Sequence, residues 1–154
     1  MQHAVRHHAK GDWPADAAAD SLTLSYDDRH RRRIRLTTDA GADVLLDLPK
    51  AIPIADGDGL ALADGGWLAV RAAPEPLIEI TCATSHELAR IAWHLGNRHL
   101  PAEVRAESIR IRPDHVIVEM LTGLGAASRE IEAPFQPEGG AYDHHHHHDE
   151  AARG

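Results

Sequence analysis

The chain has 154 residues, of which 43% are apolar and only 4% aromatic; this allows one ordinary domain or two small ones, with a core of Leu, Ile, Val and Ala that is marginal alone and suited to oligomers. A formal charge of −8 with neutral histidines argues against a nucleic-acid backbone as the main partner and suits a cation better. The single cysteine, Cys82, excludes an internal disulfide and a cysteine-based zinc site.

The start, MQHAVRHHAKGDW, lacks the apolar stretch of a signal peptide. No apolar run approaches the ~20 residues that span a membrane. A soluble cytoplasmic protein is therefore the expectation. Residues 19–72 read as short strands. Leu22, Leu24 and Tyr26 alternate, as do Ile34 and Leu36, then Val44, Leu46 and Leu48, the period-2 pattern of half-buried strands. The turn segments DDRH, DAGAD, ADGDG and ADGG separate them. GWLAVRA closes this all-β part, with Trp67, Ala69 and Arg71 on one face.

Pro74 and Pro76 deny backbone donors and suit a linker. LIEITC then reads as a strand. Thr84 with Glu87 three residues on makes a capping box. Leu88, Ile91, Ala92 and Leu95 follow as an amphipathic helical stripe. Gly96 and Asn97 suit the left-handed position that ends a helix. Short strands are expected near AEVRA and SIRIR. Asp114 caps a second helix, whose stripe is Ile117, Met120, Leu121 and Leu124 and whose stop is Gly125. SREIEAPF is the last strand. The fold class is thus α+β: an all-β N-terminal domain over residues 1–74, a ferredoxin-like βαββαβ domain over 75–136, and a His-rich tail over 137–154, expected to be disordered because it has no apolar period.

Thirteen histidines are the unusual number in the composition. His3, His7 and His8 lie near the start; His144, His145, His146, His147 and His148 form one run. That run has two readings, a natural metal-collecting tail or a purification tag. Its position before DEAARG favours the natural tail. Neutral imidazoles bind Ni, Cu, Zn and Co, and interchangeable tail ligands capture and release metal better than they build a rigid catalytic site. His99 lies just past the first helix, where the negative end of the helix dipole favours a cation. The bland alternative is a solvated loop histidine. His94 borders the helix core, His86 and His30 read as solvated, and Cys82 as a small buried hydrophobe. His115 opens the second helix and should face solvent.

WHLGNRHLPAE, IRIRPDHVIVEMLTGLG, APFQPEGGAY and the terminal His run together closely resemble the UreE family, urease accessory proteins that act as nickel metallochaperones. The resemblance spans the chain. It implies a peptide-binding-like N-terminal domain, a metal-binding C-terminal domain, and a homodimer in which two copies of His99 share one Ni(II) ion as cargo. A two-fold axis doubles each ligand, and tail histidines could complete the coordination. Zn(II) or Cu(II) would be in-vitro substitutes. His115 matches a peripheral metal-binding histidine of some members, which carry a second histidine where this chain has Pro113. The implied partners are the urease accessory GTPase and, through it, the urease apoprotein complex. Metal binding should weaken as pH falls through the ordinary imidazole range, ~6.5.

Other functions fit less well. SHELARIAWH lacks the His-Glu-x-x-His spacing of a metallohydrolase, since His86 and His94 are eight apart, and no paired carboxylate ligand set stands out; no enzyme activity is expected. A passive nickel or zinc store is the alternative, with affinity residing wholly in the tail. RHRRRIR raises a nucleic-acid reading that the acidic total opposes; an acidic protein partner suits those arginines better.

Overall fold

The computed structural model describes residues 1–139. The expectations for the tail histidines, His144 to His148 inclusive, lie outside the described residues. The element order is β1 (Gln2–His8), β2 (Ala18–Leu24), β3 (Arg33–Thr37), β4 (Asp43–Asp47), β5 (Gly59–Leu62), β6 (Trp67–Ala72), β7 (Pro74–Thr81), α1 (Ser85–Asn97), β8 (Glu103–Val104), β9 (Ile109–Ile111), α2 (His115–Gly123) and β10 (Ala127–Pro134). The chain divides into two compact units. The first is Met1–Glu75 with Glu132–Gln136; the second is Pro76–Ile131 with the described residues after Gln136.

The first unit is a mixed six-stranded sheet in the order β2-β6-β5-β1-β4-β3. The alternation read from sequence orients its strands: Leu22, Leu24, Leu36, Val44, Leu46, Leu68 and Val70 are all buried in one core. Trp67, Ala69 and Arg71 take the opposite face from buried Leu68, Val70 and Ala72, as the pattern requires. Two strands were not legible. β1 sits in the middle of the sheet, parallel to β4 and antiparallel to β5. It is polar at most positions, and a register shift between Ala4 and Arg6 breaks its period. In β5 all four residues are buried, so no alternation marks it. The first residue of β5 has to be glycine, because the Trp13 indole lies 2.2 Å from where a Cβ of Gly59 would be.

The second unit is a four-stranded sheet in the order β10-β7-β9-β8. With α1 and α2 between the strands in sequence, it is the βαββαβ ferredoxin-like arrangement. Pro74 and Pro76 are not a linker but the opening residues of β7. They fit there because pairing with β9 begins only at Ile78, so on that side no ladder bond needs their missing N–H. Ile78 opposes Ile111 and Ile80 opposes Ile109. These four pack with Leu88, Ile91, Leu95, Ile117 and Leu121 of the helices. Leu95 is fully buried, and its truncation to Ala would cost about 2–5 kcal/mol. Leu124, expected on the α2 stripe, is 43% exposed, because the helix has already ended at Gly123.

The other face of this sheet carries a charge ladder. Glu79 accepts from Arg110 at 3.1 Å and from Arg129 at 2.6 Å. Arg110 lies opposite both Glu79 and Glu103 in register, and Arg105 binds Glu103 at 2.6 Å. Hydrogen bonding from Arg129, against the opposing effect of burial and aided by Arg110, holds the Glu79 carboxyl below its ordinary 4.5.

Among the described residues, no helix is long and apolar enough to cross a membrane.

Candidate metal centre

His99 is positioned by the way α1 ends. The helix starts where the sequence indicates: the Thr84 hydroxyl accepts from the Glu87 N–H at 3.1 Å. The end differs from expectation. Gly96 and Asn97 both stay inside the helix, Arg98 caps it at φ −95°, and the left-handed residue is His99, at φ 56°. Its N–H donates to the Gly96 carbonyl at 3.0 Å, and the Leu100 N–H donates to the Leu95 carbonyl at 3.3 Å. Those two bonds, with Leu100 packed on the core that contains Leu95, form a complete Schellman motif. The register of the buried stripe explains the shift. Leu95 must face the core as the third residue from the end, which puts His99 at the left-handed position.

Glycine is the usual occupant there. A non-glycine residue costs about 1–2 kcal/mol, less for His than for bulkier types. His99 is the single non-glycine residue with positive φ among the described residues. His99 is exposed at this position, just past the end of α1. There it meets the negative end of the helix dipole, which favours a cation by about 0.3–1 kcal/mol.

The other histidines are spread out. His94, half-buried one turn earlier, lies edge-on to the Trp93 ring at 5.1 Å and lines a shallow groove with Glu87, Arg90, Ile91 and Leu124. His115 is exposed at the first position of α2. Here the dipole has the opposite sign and disfavours a cation, and Asp114 directs one carboxylate oxygen to the N–H groups of Val116 and Ile117. His86 is exposed and Cys82 half-buried against the second core; burial, with the nearby Glu87 charge, pushes the Cys82 thiol up. His30 Nδ1 lies 2.7 Å from the Tyr26 carbonyl. Among the described residues no three His, Cys, Asp or Glu side chains converge as a metal-binding group.

Two polar centres in the first unit escaped the sequence reading. His7 Nε2 lies 2.6 Å from buried Asp58, whose carboxylate also accepts from the Lys10 and Ala55 N–H groups. Burial alone would raise the Asp58 carboxyl, but these hydrogen bonds outweigh it and hold the group below its usual range. Arg29 is 2% exposed and donates to the carbonyls of Ile54 and Phe135. The available signal for the first was alternation of His7 with Ala4 across a bulge, which is weak. For Arg29, inside a run of arginines, there was none.

Comparison with known proteins gives the context for this geometry. Residues 1–73 match the model of the UreE urease accessory protein N-terminal domain, and residues 75–153 that of the C-terminal domain. Among similar proteins, a urease accessory protein UreE from Bradyrhizobium sp. (strain ORS 278) is 54% identical over 142 residues, covering 92% of this chain and 67% of that protein. One from Rhodopseudomonas palustris (strain BisB18) is 57% identical over 83% of this chain and 61% of its own length. One from Chelativorans sp. (strain BNC1) is 54% identical over 82% of this chain and 80% of its own. The chain thus spans roughly two thirds of the length of several relatives it matches. The chain belongs to the UreE urease accessory protein family, which implies a part in urease maturation and no catalysis of its own.

Proposed function

We propose that the protein is a cytoplasmic nickel metallochaperone that holds Ni(II) on His99 at a homodimer axis and passes it, through the urease accessory GTPase, to the urease apoprotein complex. The observation that carries this is His99 itself: an exposed histidine whose backbone is held left-handed at the cation-favouring end of α1. One imidazole is too few for a stable nickel site, and a two-fold axis supplies a second without new sequence. Trp93, 65% exposed on the same helix, offers a second copy an apolar surface to cover. The tail histidines would fill further coordination positions. The Glu138 N–H donates to the Ala102 carbonyl at 2.8 Å, so the tail departs three residues along from His99. His144 is six residues past Glu138, a reach of at most about 20 Å.

A nickel affinity near micromolar, about −8 kcal/mol, would be retentive yet releasable. Ligand exchange with the docked GTPase then transfers the ion. Calorimetric nickel titration of the full chain and of one ending at Asp143, with mass measured in the same buffer, tests the proposal. One nickel per two chains in the shortened form, lost in His99→Ala, is the expected result. Binding that vanishes with the tail and ignores His99 would instead make the protein a passive store. His115→Ala is expected to leave the first nickel in place.

A further inference from the structure

His99 is held between two fixed stretches of chain. Before it, α1 is anchored by Leu95, which is fully buried. After it, Leu100 packs on the same core, with its N–H on the Leu95 carbonyl at 3.3 Å. Pro101 follows directly. A proline disfavours the helical conformation in the residue before it, which opposes any continuation of α1 through His99 and Leu100. Ala102 also packs on that core, and its carbonyl accepts from the Glu138 N–H at 2.8 Å. β8 begins at the next residue, where Glu103 opposes Arg110 in register. The left-handed turn at His99 is the joint between these two anchors.

We infer that Leu100 and Pro101 are positioning residues for the metal: they hold His99 left-handed before any ion arrives, so that its imidazole is offered from a fixed backbone. This rests on the nickel function proposed above. Neither side chain has a donor atom, so an effect of either on nickel has to pass through the backbone that they hold. Its size follows from populations. An unanchored histidine adopts the left-handed region about one time in ten. Where only that conformer presents the ring, the apparent dissociation constant rises by the inverse of its fraction, about tenfold. Two copies of His99 sharing one ion must both adopt it; independent fractions multiply, and the loss becomes about a hundredfold. A two-fold axis that doubles a ligand thus also squares the benefit of holding that ligand ready.

The test uses the full chain, with Ni(II) affinity from chelator competition and, in the apo-protein, the intraresidue amide-to-α NOE of His99, which is strong at positive φ. Leu100→Ala should weaken that NOE and lower the nickel affinity by about tenfold to a hundredfold. Pro101→Ala should act in the same direction by less, and Leu100→Met, which keeps the packing, should bind nickel as the wild type does. Leu88→Ala removes a side chain from the same core at the other end of α1; it should cost the fold stability and leave nickel binding unchanged, which separates positioning from a general loosening. If Leu100→Ala and Pro101→Ala keep the wild-type affinity while His99→Ala lowers it, His99 binds without being held ready and the inference is overturned. If His99→Ala itself leaves the affinity unchanged, the proposed role of His99 fails, and that of its positioning residues with it.

Discussion

The two helices of the second unit end in the same way with different residues. At the end of α2 the Gly125 N–H donates to the Thr122 carbonyl and the Ala126 N–H to the Leu121 carbonyl, both at 3.0 Å, with Gly125 at φ 92°. At the end of α1 the same pair of bonds is closed around His99 at φ 56°. In each case a buried leucine, Leu95 or Leu121, sits at the third position from the end. The backbone task is identical, and glycine performs it without strain. The histidine adds nothing to the backbone task, so its presence points to the side chain. Where a local rule of stability is broken at an exposed residue, the compensating gain is to be sought in chemistry.

Exchanging the two residues sharpens that contrast. The largest expected effect is on metal. His99→Gly should lower the affinity for the first nickel at least tenfold in a chelator competition, with the α1 end otherwise unchanged. Next in size, Gly125→His should destabilise the apo-protein by about 1–2 kcal/mol, read as a fall in the urea midpoint. A Cβ at Gly125 meets nothing within 4 Å, so this cost is conformational alone, and no nickel site should appear. Smaller again, His99→Gly should stabilise the apo-protein by about 0.5–1 kcal/mol, the strain relieved less the extra entropy of an unfolded glycine. An apo-protein less stable with Gly at 99 would end the comparison, because His99 would then be contributing to the fold.

The smallest effect concerns the sheet beneath both helices. The Glu79 carboxyl is held below its ordinary 4.5 by Arg129 and Arg110. A depressed carboxyl contributes stability that is full above its unfolded value and is lost as pH falls through the folded one. Between pH 4.5 and the lowered value, the wild type should therefore lose stability more steeply than Glu79→Gln. Parallel acid curves for the two proteins would show that the ladder is not the source.

Much of the second unit was legible because its signals are local. A hydroxyl cap at Thr84, a carboxylate cap at Asp114 and stripes of 3.6 period define α1 and α2 within a few residues each. The family motif around His99 was equally plain. What could not be read depends on distant partners. β1 is a strand because β4 and β5 flank it, not because its residues alternate. Arg29 is buried because Phe135, more than a hundred residues away, brings a carbonyl to it. His99 is left-handed because Leu95 must face the core, whereas local propensity alone favoured Gly96 or Asn97.

The return of Glu132–Gln136 to the first unit also bears on how the chain is born. Synthesis runs from the N-terminus, and domains usually fold in that order. Here the N-terminal sheet emerges first, yet the place of Phe135 beside Tyr26 and one of the two carbonyl partners of Arg29 stay empty until residue 135 has left the ribosome. The first unit to be made is therefore not completed until both helices of the second have been synthesised, and a nascent chain stalled short of residue 135 would present the Arg29 guanidinium without one of its carbonyl partners, beside an open apolar pocket, to any chaperone waiting at the exit.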